Sequence, residues 1–185
     1  KQLILYLQSN GGGYLNIAID LADEFLADDK LIVYTEGSKQ RREDAKSSKK
    51  GLFENGRLVI LVDEASASAS EIVSGAVQDW DRGVIIGRRT FGKGLVQKPI
   101  PLPDGSMIRL TVSRYYTPTG RCIQKPYENG DKAQYNRELI ERYNRGELTN
   151  ADSIHFPDSM KYSTLITKRD VYGGGGIMPD VFVPV

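Results

Sequence analysis

The sequence predicts an α/β fold organised on a largely parallel sheet, and three observations carry that expectation. Short apolar runs of strand length recur at residues 3–7, 31–35, 58–62 and 84–86. Two amphipathic segments, over 14–28 and 68–81, place apolar residues at i, i+3, i+4 spacing between such runs. Strand and helix therefore alternate with short connections, as they do where helices cross over between parallel strands. Composition agrees: of 185 residues, 39% are hydrophobic and 26% charged, a globular balance in a chain long enough to bury a core.

Taken in order, Leu3-Ile4-Leu5-Tyr6-Leu7 is continuously apolar, as in a strand buried on both faces. Ser9-Asn10-Gly11-Gly12-Gly13 breaks it, and Leu15, Ala18, Ile19, Ala22, Phe25 and Leu26 mark one face of the first helix. Leu31–Thr35 is the second strand. Residues 38–50 hold six basic and two acidic residues with no interleaved aromatics, the pattern of a solvated surface loop. Leu58–Val62 is the third strand. The second helix shows Ala69, Ile72, Val73, Ala76, Val77 and Trp80 on one face, and Val84–Ile86 follows as the fourth strand. Val96–Leu102 and Met107–Tyr115 flank Pro103-Asp104-Gly105-Ser106, a hairpin signal. Residues 125–165 read as an insertion carrying one polar helix over 132–145, and glycines 173–176 precede a last strand, Ile177–Val183. The chain runs from Lys1-Gln2 straight into a strand, without initiator Met or signal peptide, and is read as a piece of a longer protein.

Several function classes are excluded. A formal net charge of +1 argues against a globally basic nucleic-acid binder. No apolar run approaches the roughly 20 residues that span a bilayer. The single cysteine, Cys122, excludes an internal disulfide and a Cys-rich zinc site, and the single histidine, His155, excludes a site needing two. Gly87-Arg88-Arg89-Thr90-Phe91-Gly92-Lys93 fits G-x-x-x-x-G-K after a strand, but Gly94 stands where Mg²⁺ needs a hydroxyl. A strand-like run then follows instead of a helix, so nucleotide binding is not expected.

Two segments carry chemistry. Ala65-Ser66-Ala67-Ser68-Ala69-Ser70-Glu71 lies where a strand gives way to a helix. One serine there is accounted for as a helix cap, three alternating with alanine are not. A strand-to-helix turn is also where a nucleophilic serine is placed, with small neighbours admitting a carbonyl and first-turn N–H groups facing an oxyanion. Asn10-Gly11-Gly12-Gly13 is either a flexible loop or a second set of N–H groups on the same crevice. A serine needs a base. His155 lies in the polar insertion, which leaves a Ser-His-Asp triad weakly supported; the other option is a lysine. A lysine serves as base only when neutral, which burial among apolar groups favours, and Phe91-Gly92-Lys93-Gly94-Leu95-Val96 supplies such surroundings with no acidic residue nearby in sequence.

The segment Ser66–Ile72 with Gly87-x-x-Thr90-Phe-Gly-Lys-Gly-x-Val-Gln97 resembles the signature of carboxyl-terminal processing peptidases, the tail-specific proteases. Asn10–Leu15, Tyr116-Thr-Pro-Thr-Gly120 and Gly176-Ile-Met-Pro-Asp180 are similar to further short motifs of that family. The resemblance implies a crotonase/caseinolytic-protease-like core of strand-strand-helix units with an added β-hairpin and a polar insertion. It forms a single peptidase domain over 1–185, without the upstream PDZ domain and preceding core segment. It implies Ser68 as nucleophile, Lys93 as base and Gln97 as the residue orienting it, with 25 residues from Ser68 to Lys93 and four more to Gln97. It implies an oxyanion hole from the N–H groups of Ala69 and of Gly12 or Gly13, with Gly13 favoured. A substrate strand would lie along Gly94, Leu95 and Val96, where Pro99 suits a sheet edge. No metal or cofactor is implied. Expected partners are polypeptides with unstructured carboxyl-terminal tails, with no nucleic acid or nucleotide, and a homo-oligomer is allowed. The expected compartment is a bacterial periplasm or envelope. Tyr6 and Gln8 stand where the family usually has an acidic residue and an arginine. The rival readings are a catalytically inert relative that binds peptide tails, and an acyl-CoA enzyme of the crotonase type.

Overall fold

The computed structural model describes residues 1–48, 50–127 and 132–185; Lys49 of the basic stretch and residues 128–131 of the expected insertion lie outside them. In chain order the elements are β1 (Gln2–Tyr6), α1 (Leu15–Asp23), β2 (Leu31–Glu36), β3 (Glu43–Lys46), β4 (Arg57–Val62), α2 (Ala69–Asp79), β5 (Val84–Gly87), β6 (Leu95–Pro101), β7 (Met107–Tyr116), α3 (Lys132–Asn144), β8 (Lys161–Ser163), β9 (Asp170–Tyr172) and β10 (Val181–Phe182). The strands β1-β4-β5-β10 make a wholly parallel sheet. The order β3-β2-β7-β6 makes a second, antiparallel sheet, and β8 pairs with β9.

Helix α2 packs on β2 and β5, and α1 packs on α2 and β2. One continuous core results, in which Ala18, Ala22, Ile72, Val73, Ala76 and Val77 of the helices meet Leu58, Ile60, Val62 and Ile85 of the parallel sheet and Ile32 and Tyr115 of the other. Burying apolar side chains of this size contributes about 1.5–3 kcal/mol each, and this layer positions the loops at the carboxyl ends of β1, β4 and β5.

Four expectations are corrected. β1 is not buried on both faces: it is the edge of the parallel sheet, with Leu3 and Leu5 against the core while Ile4 and Tyr6 are each 67% exposed. The charged stretch 38–50 is not all loop, since Glu43–Lys46 pairs with β2 as an edge strand whose charges stay in water, in the ion pairs Arg42–Asp44 and Lys46–Asp29. α1 ends at Asp23, because the Glu24 carbonyl accepts the Phe53 N–H and the Phe25 carbonyl accepts Arg82 Nε, which removes acceptors a further turn would need. β10 is only two residues long. The stretch before it is held by side chains: the Ile177 N–H donates to Thr90 Oγ1, the Met178 carbonyl accepts from Gln78 Nε2, and Pro179 has no N–H for a ladder.

Helix α2 also fastens two of the short motifs. Asp79 accepts the Thr119 N–H and hydroxyl and pairs with the buried guanidinium of Arg121, while Gln78 reaches Asp180, whose other oxygen accepts the Ile85 N–H. One turn on, Asp81 accepts from the main-chain N–H groups of Ile166 and Thr167, the Thr167 hydroxyl and Arg169. Burial pushes the Asp81 carboxyl up, but these donors outweigh it and bring the value down to about 2 from 3.8. A carboxyl depressed in the folded state contributes stability that is complete above its unfolded value and is lost as pH falls through its folded one. Thermal midpoints measured from pH 5 down to pH 2 should therefore show a loss in the wild-type protein between about 4 and 2 that is smaller in Asp81→Asn.

Candidate active site

The loop from β4 into α2 divides its three alternating serines among three tasks. Ser66, fully buried, donates from Oγ to the Leu7 carbonyl and accepts the Asp63 N–H, joining the ends of β1 and β4. Asp63 in turn accepts from the Ser9, Ala65 and Ser66 N–H groups, which outweigh the effect of burial and hold its carboxyl below the usual value. Ser70 donates from Oγ to both oxygens of Asn10, and the Ala67 N–H donates to the Asn10 carbonyl, so the glycine loop is pinned to the serine loop. Ser68 has neither task. It sits at the N-cap of α2 with φ 57° and ψ −113°, a strained conformation for a residue with a Cβ, and its side chain is half-buried. A strained serine at a strand-to-helix elbow is how a nucleophile is held at the mouth of a crevice.

Lys93 is brought to this elbow by Glu71. The Glu71 carboxylate is fully buried; its Oε2 accepts the Ser68 N–H and the Lys93 N–H, each at 2.8 Å, and its Oε1 accepts the Gly92 N–H at 2.7 Å and the Thr90 hydroxyl at 2.6 Å. Burial pushes this carboxyl up and the four donors oppose the shift. The lysine loop, free of acids in sequence, thus has a carboxylate from α2 at its centre. The same contacts explain why G-x-x-x-x-G-K makes no phosphate loop: the Gly92 and Lys93 N–H groups already hold an anion, the protein's own. Sequence reading did not single out Glu71, although Ser68-Ala69-Ser70-Glu71 has the S-x-x-E form of a capping box. No hydrogen bond or ion pair joins Ser68 Oγ and Lys93 Nζ in this structure.

The two glycines differ. Gly12 donates its N–H to Asn10 Oδ1 at 2.9 Å, whereas the N–H groups of Gly13 and Ala69 donate to no protein acceptor. Gly12 instead supplies space: at φ +93° its missing Cβ would lie 2.5 Å from the Ala67 carbonyl oxygen and 2.8 Å from Ser68 Cβ, while a Cβ on Gly13 would meet nothing within 4 Å. Gly12→Ala should displace the Ser68 elbow and lower the thermal midpoint, with Gly13→Ala much milder; circular-dichroism melts of the pair check this.

The remaining expected residues are placed as follows. Gln97 is exposed on β6, and its amide donates to Thr111 Oγ1 at 3.4 Å. β6 is the free edge of the antiparallel sheet, so Leu95 and Val96 lie on an open border. Gly94 differs from them in that its N–H donates to Gln124 Oε1 and its carbonyl accepts the Tyr115 N–H. His155 lines a cavity of about 520 Å³ together with Arg89, Tyr135 and Phe156, in which neither Ser68 nor Lys93 takes part. A smaller apolar pocket of about 160 Å³, lined by Leu7, Gly12, Gly13, Tyr14, Ile17 and Val73, adjoins Ala69. Among the described residues no cluster of histidine, cysteine and carboxylates is arranged to hold a metal ion, and no helix is long and apolar enough to cross a membrane.

Comparison with known proteins places the chain among peptidases. It belongs to peptidase family S41, whose model matches residues 1–131. Over 127 residues it is 46% identical to a carboxy-terminal-processing protease of Bartonella bacilliformis, covering 67% of this chain and 29% of that protein. It is 40% identical over 123 residues to the chloroplastic C-terminal processing peptidase of Tetradesmus obliquus, covering 66% of this chain and 26% of that one. The solved photosystem II D1 C-terminal processing protease superposes on 99% of this chain and 34% of its own length, with a TM-score of 0.67 and 28% identity. The chain thus spans about a quarter to a third of the relatives it matches.

Proposed function

We propose that the protein is a serine endopeptidase that cleaves polypeptides near their carboxyl ends through Ser68 and Lys93. The observation that carries this reading is the clasp on Glu71 Oε2, where the main chains of a strained serine and a glycine-flanked lysine meet on one oxygen. With both main chains held, rotation of the lysine stem brings Nζ to Ser68 Oγ. Lys93 takes the hydroxyl proton as Oγ attacks the scissile carbonyl, and the oxyanion accepts from the unengaged N–H groups of Ala69 and Gly13. Collapse returns the proton from Lys93 to the leaving amine, and water then hydrolyses the acyl-enzyme.

The substrate lies extended along the β6 border at Leu95 and Val96, held by main-chain hydrogen bonds that read no particular side chain. A small apolar side chain fits the 160 Å³ pocket beside Ala69. Gln97 would join the site through a rotation off Thr111. The working location is a bacterial envelope compartment, carried over from the family resemblance.

The test is cleavage of an unstructured polypeptide by the protein, its Ser68→Ala and Lys93→Ala variants as controls. Cleavage lost in both variants is expected. Binding of the polypeptide without any cleavage by the wild type would favour the inert tail-binding reading instead.

A further inference from the structure

Three successive main-chain N–H groups of the lysine loop end on side chains from other segments. Those of Gly92 and Lys93 meet Glu71, and that of Gly94 donates to Oε1 of Gln124 at 2.9 Å. Gln124 follows β7 and is 8% exposed. Its amide has one orientation only: Nε2 donates to the Lys125 carbonyl at 2.9 Å, and an N–H needs an acceptor where a carbonyl needs a donor. The main-chain N–H of Lys125 donates in turn to the Gly92 carbonyl at 3.0 Å, so residues 124 and 125 grip the chain on both sides of Lys93. The grip is close enough to require a glycine at each side. A Cβ on Gly94 would lie 2.7 Å from the Gln124 nitrogen, and one on Gly92 would lie 3.0 Å from Lys125 Cβ. The gripping segment is itself fixed, since the Cys122 and Ile123 carbonyls accept the Gly174 and Gly176 N–H groups and the Ile123 side chain is part of the core.

We infer that Gln124 is a positioning residue for Lys93, whose Oε1 fixes the Gly94 N–H and so sets the direction in which the lysine stem leaves the main chain. The inference rests on the reading of Lys93 as base. A side chain leaves its Cα in a direction set by the two rigid peptide planes on either side. The plane between Gly92 and Lys93 is held at both ends, its carbonyl by the Lys125 N–H and its N–H by Glu71 Oε2. The plane between Lys93 and Gly94 is held by Gln124. Without that acceptor the second plane can rotate, and Nζ, at the end of a four-carbon stem, swings with it. A displacement of about 1 Å between reacting groups is enough to cost about 100-fold in rate.

The test compares Gln124→Leu, which can neither accept nor donate, with Gln124→Glu, which keeps an acceptor for Gly94 and loses the donor to the Lys125 carbonyl. Peptide cleavage is measured well below the thermal midpoint of each variant, and peptide binding is measured with Gln124→Leu placed on Ser68→Ala. Gln124→Leu is expected to lower kcat about tenfold or more, with KM and peptide affinity within about twofold. Gln124→Glu is expected to melt below the wild type yet keep kcat within about threefold, because the bond to Gly94 survives. A purely structural role would move the midpoint alone, so a wild-type kcat in folded Gln124→Leu overturns the inference. So does a kcat in Gln124→Glu that falls as far as in Gln124→Leu, and so does weakened peptide binding, which would place Gln124 in substrate recognition. Should Gln124→Leu not fold, Gln124→Glu decides: kcat within about threefold despite a lower midpoint supports the inference, and a larger fall overturns it. Lys93→Ala in the same assay keeps the two readings apart. If Lys93→Ala is inactive while Gln124→Leu matches the wild type, only the role of Gln124 falls. If Lys93→Ala still cleaves, the reading of Lys93 falls and this inference with it.

Discussion

Lys93→Arg is expected to lower peptide cleavage by about a thousandfold or more while leaving the fold intact. The change keeps a positive charge and a long stem on the same loop, and the Lys93 N–H that reaches Glu71 is main chain, so the clasp survives. What is lost is a nitrogen that can shed its proton, because a guanidinium stays charged at any working pH and cannot receive one from Ser68. The measurement is kcat/KM beside a circular-dichroism melt. A variant that melts like the wild type and is inactive supports the base; near-normal turnover removes Lys93 from the reaction.

The second large effect is expected at Glu71. Glu71→Ala strips the acceptor from three main-chain N–H groups and one hydroxyl in a site without solvent. Each orphaned donor costs about 1–3 kcal/mol, and water entering the gap restores part of it, so a loss of about 4 kcal/mol is expected, near 10 °C in melting temperature for a chain of this length. Glu71→Gln is the informative partner. Whichever way its amide turns, the NH₂ faces at least one main-chain N–H, Gly92 on one side or Ser68 and Lys93 on the other. Its cost should be about half that of alanine, and any turnover it keeps should depend on Oε2 remaining an acceptor. Urea melts and peptide kinetics of the two variants check the order.

The strand-helix alternation, the hairpin with its turn at Pro103–Ser106 and a serine at the entrance to α2 could all be read from the sequence, because periodicity and turn chemistry are local. The departures have non-local causes. β2 follows α1 as a parallel strand would, yet its partners β3 and β7 draw it into the other sheet. β3 hides in a charged run, because an edge strand needs only a neighbour's main chain and its side chains can stay wet. α1 stops early through bonds from Phe53 and Arg82, well downstream in sequence. At the site, the serine and lysine stood out by their small and glycine neighbours. Glu71 did not, since its function lies in four donors spread from Ser68 to Lys93. The burial of Tyr115, one of two adjacent tyrosines, could not be told from its neighbour's by pattern alone.

The contact on Glu71 Oε2 also ties the proposed pair to completed folding. Ser68 and Lys93 come from segments separated by a whole helix and a strand, and nothing local in either segment brings them together. Contacts between distant segments form late, after the entropy of closing the intervening loop has been overcome. A nascent or partly unfolded chain therefore lacks the meeting of the Ser68 and Lys93 main chains on one carboxylate oxygen. That meeting arrives with the docking of α2 on the loop after β5 and is lost as soon as that docking opens. On the proposed assignment of Ser68 and Lys93, a chain in which these segments have not docked has no assembled pair.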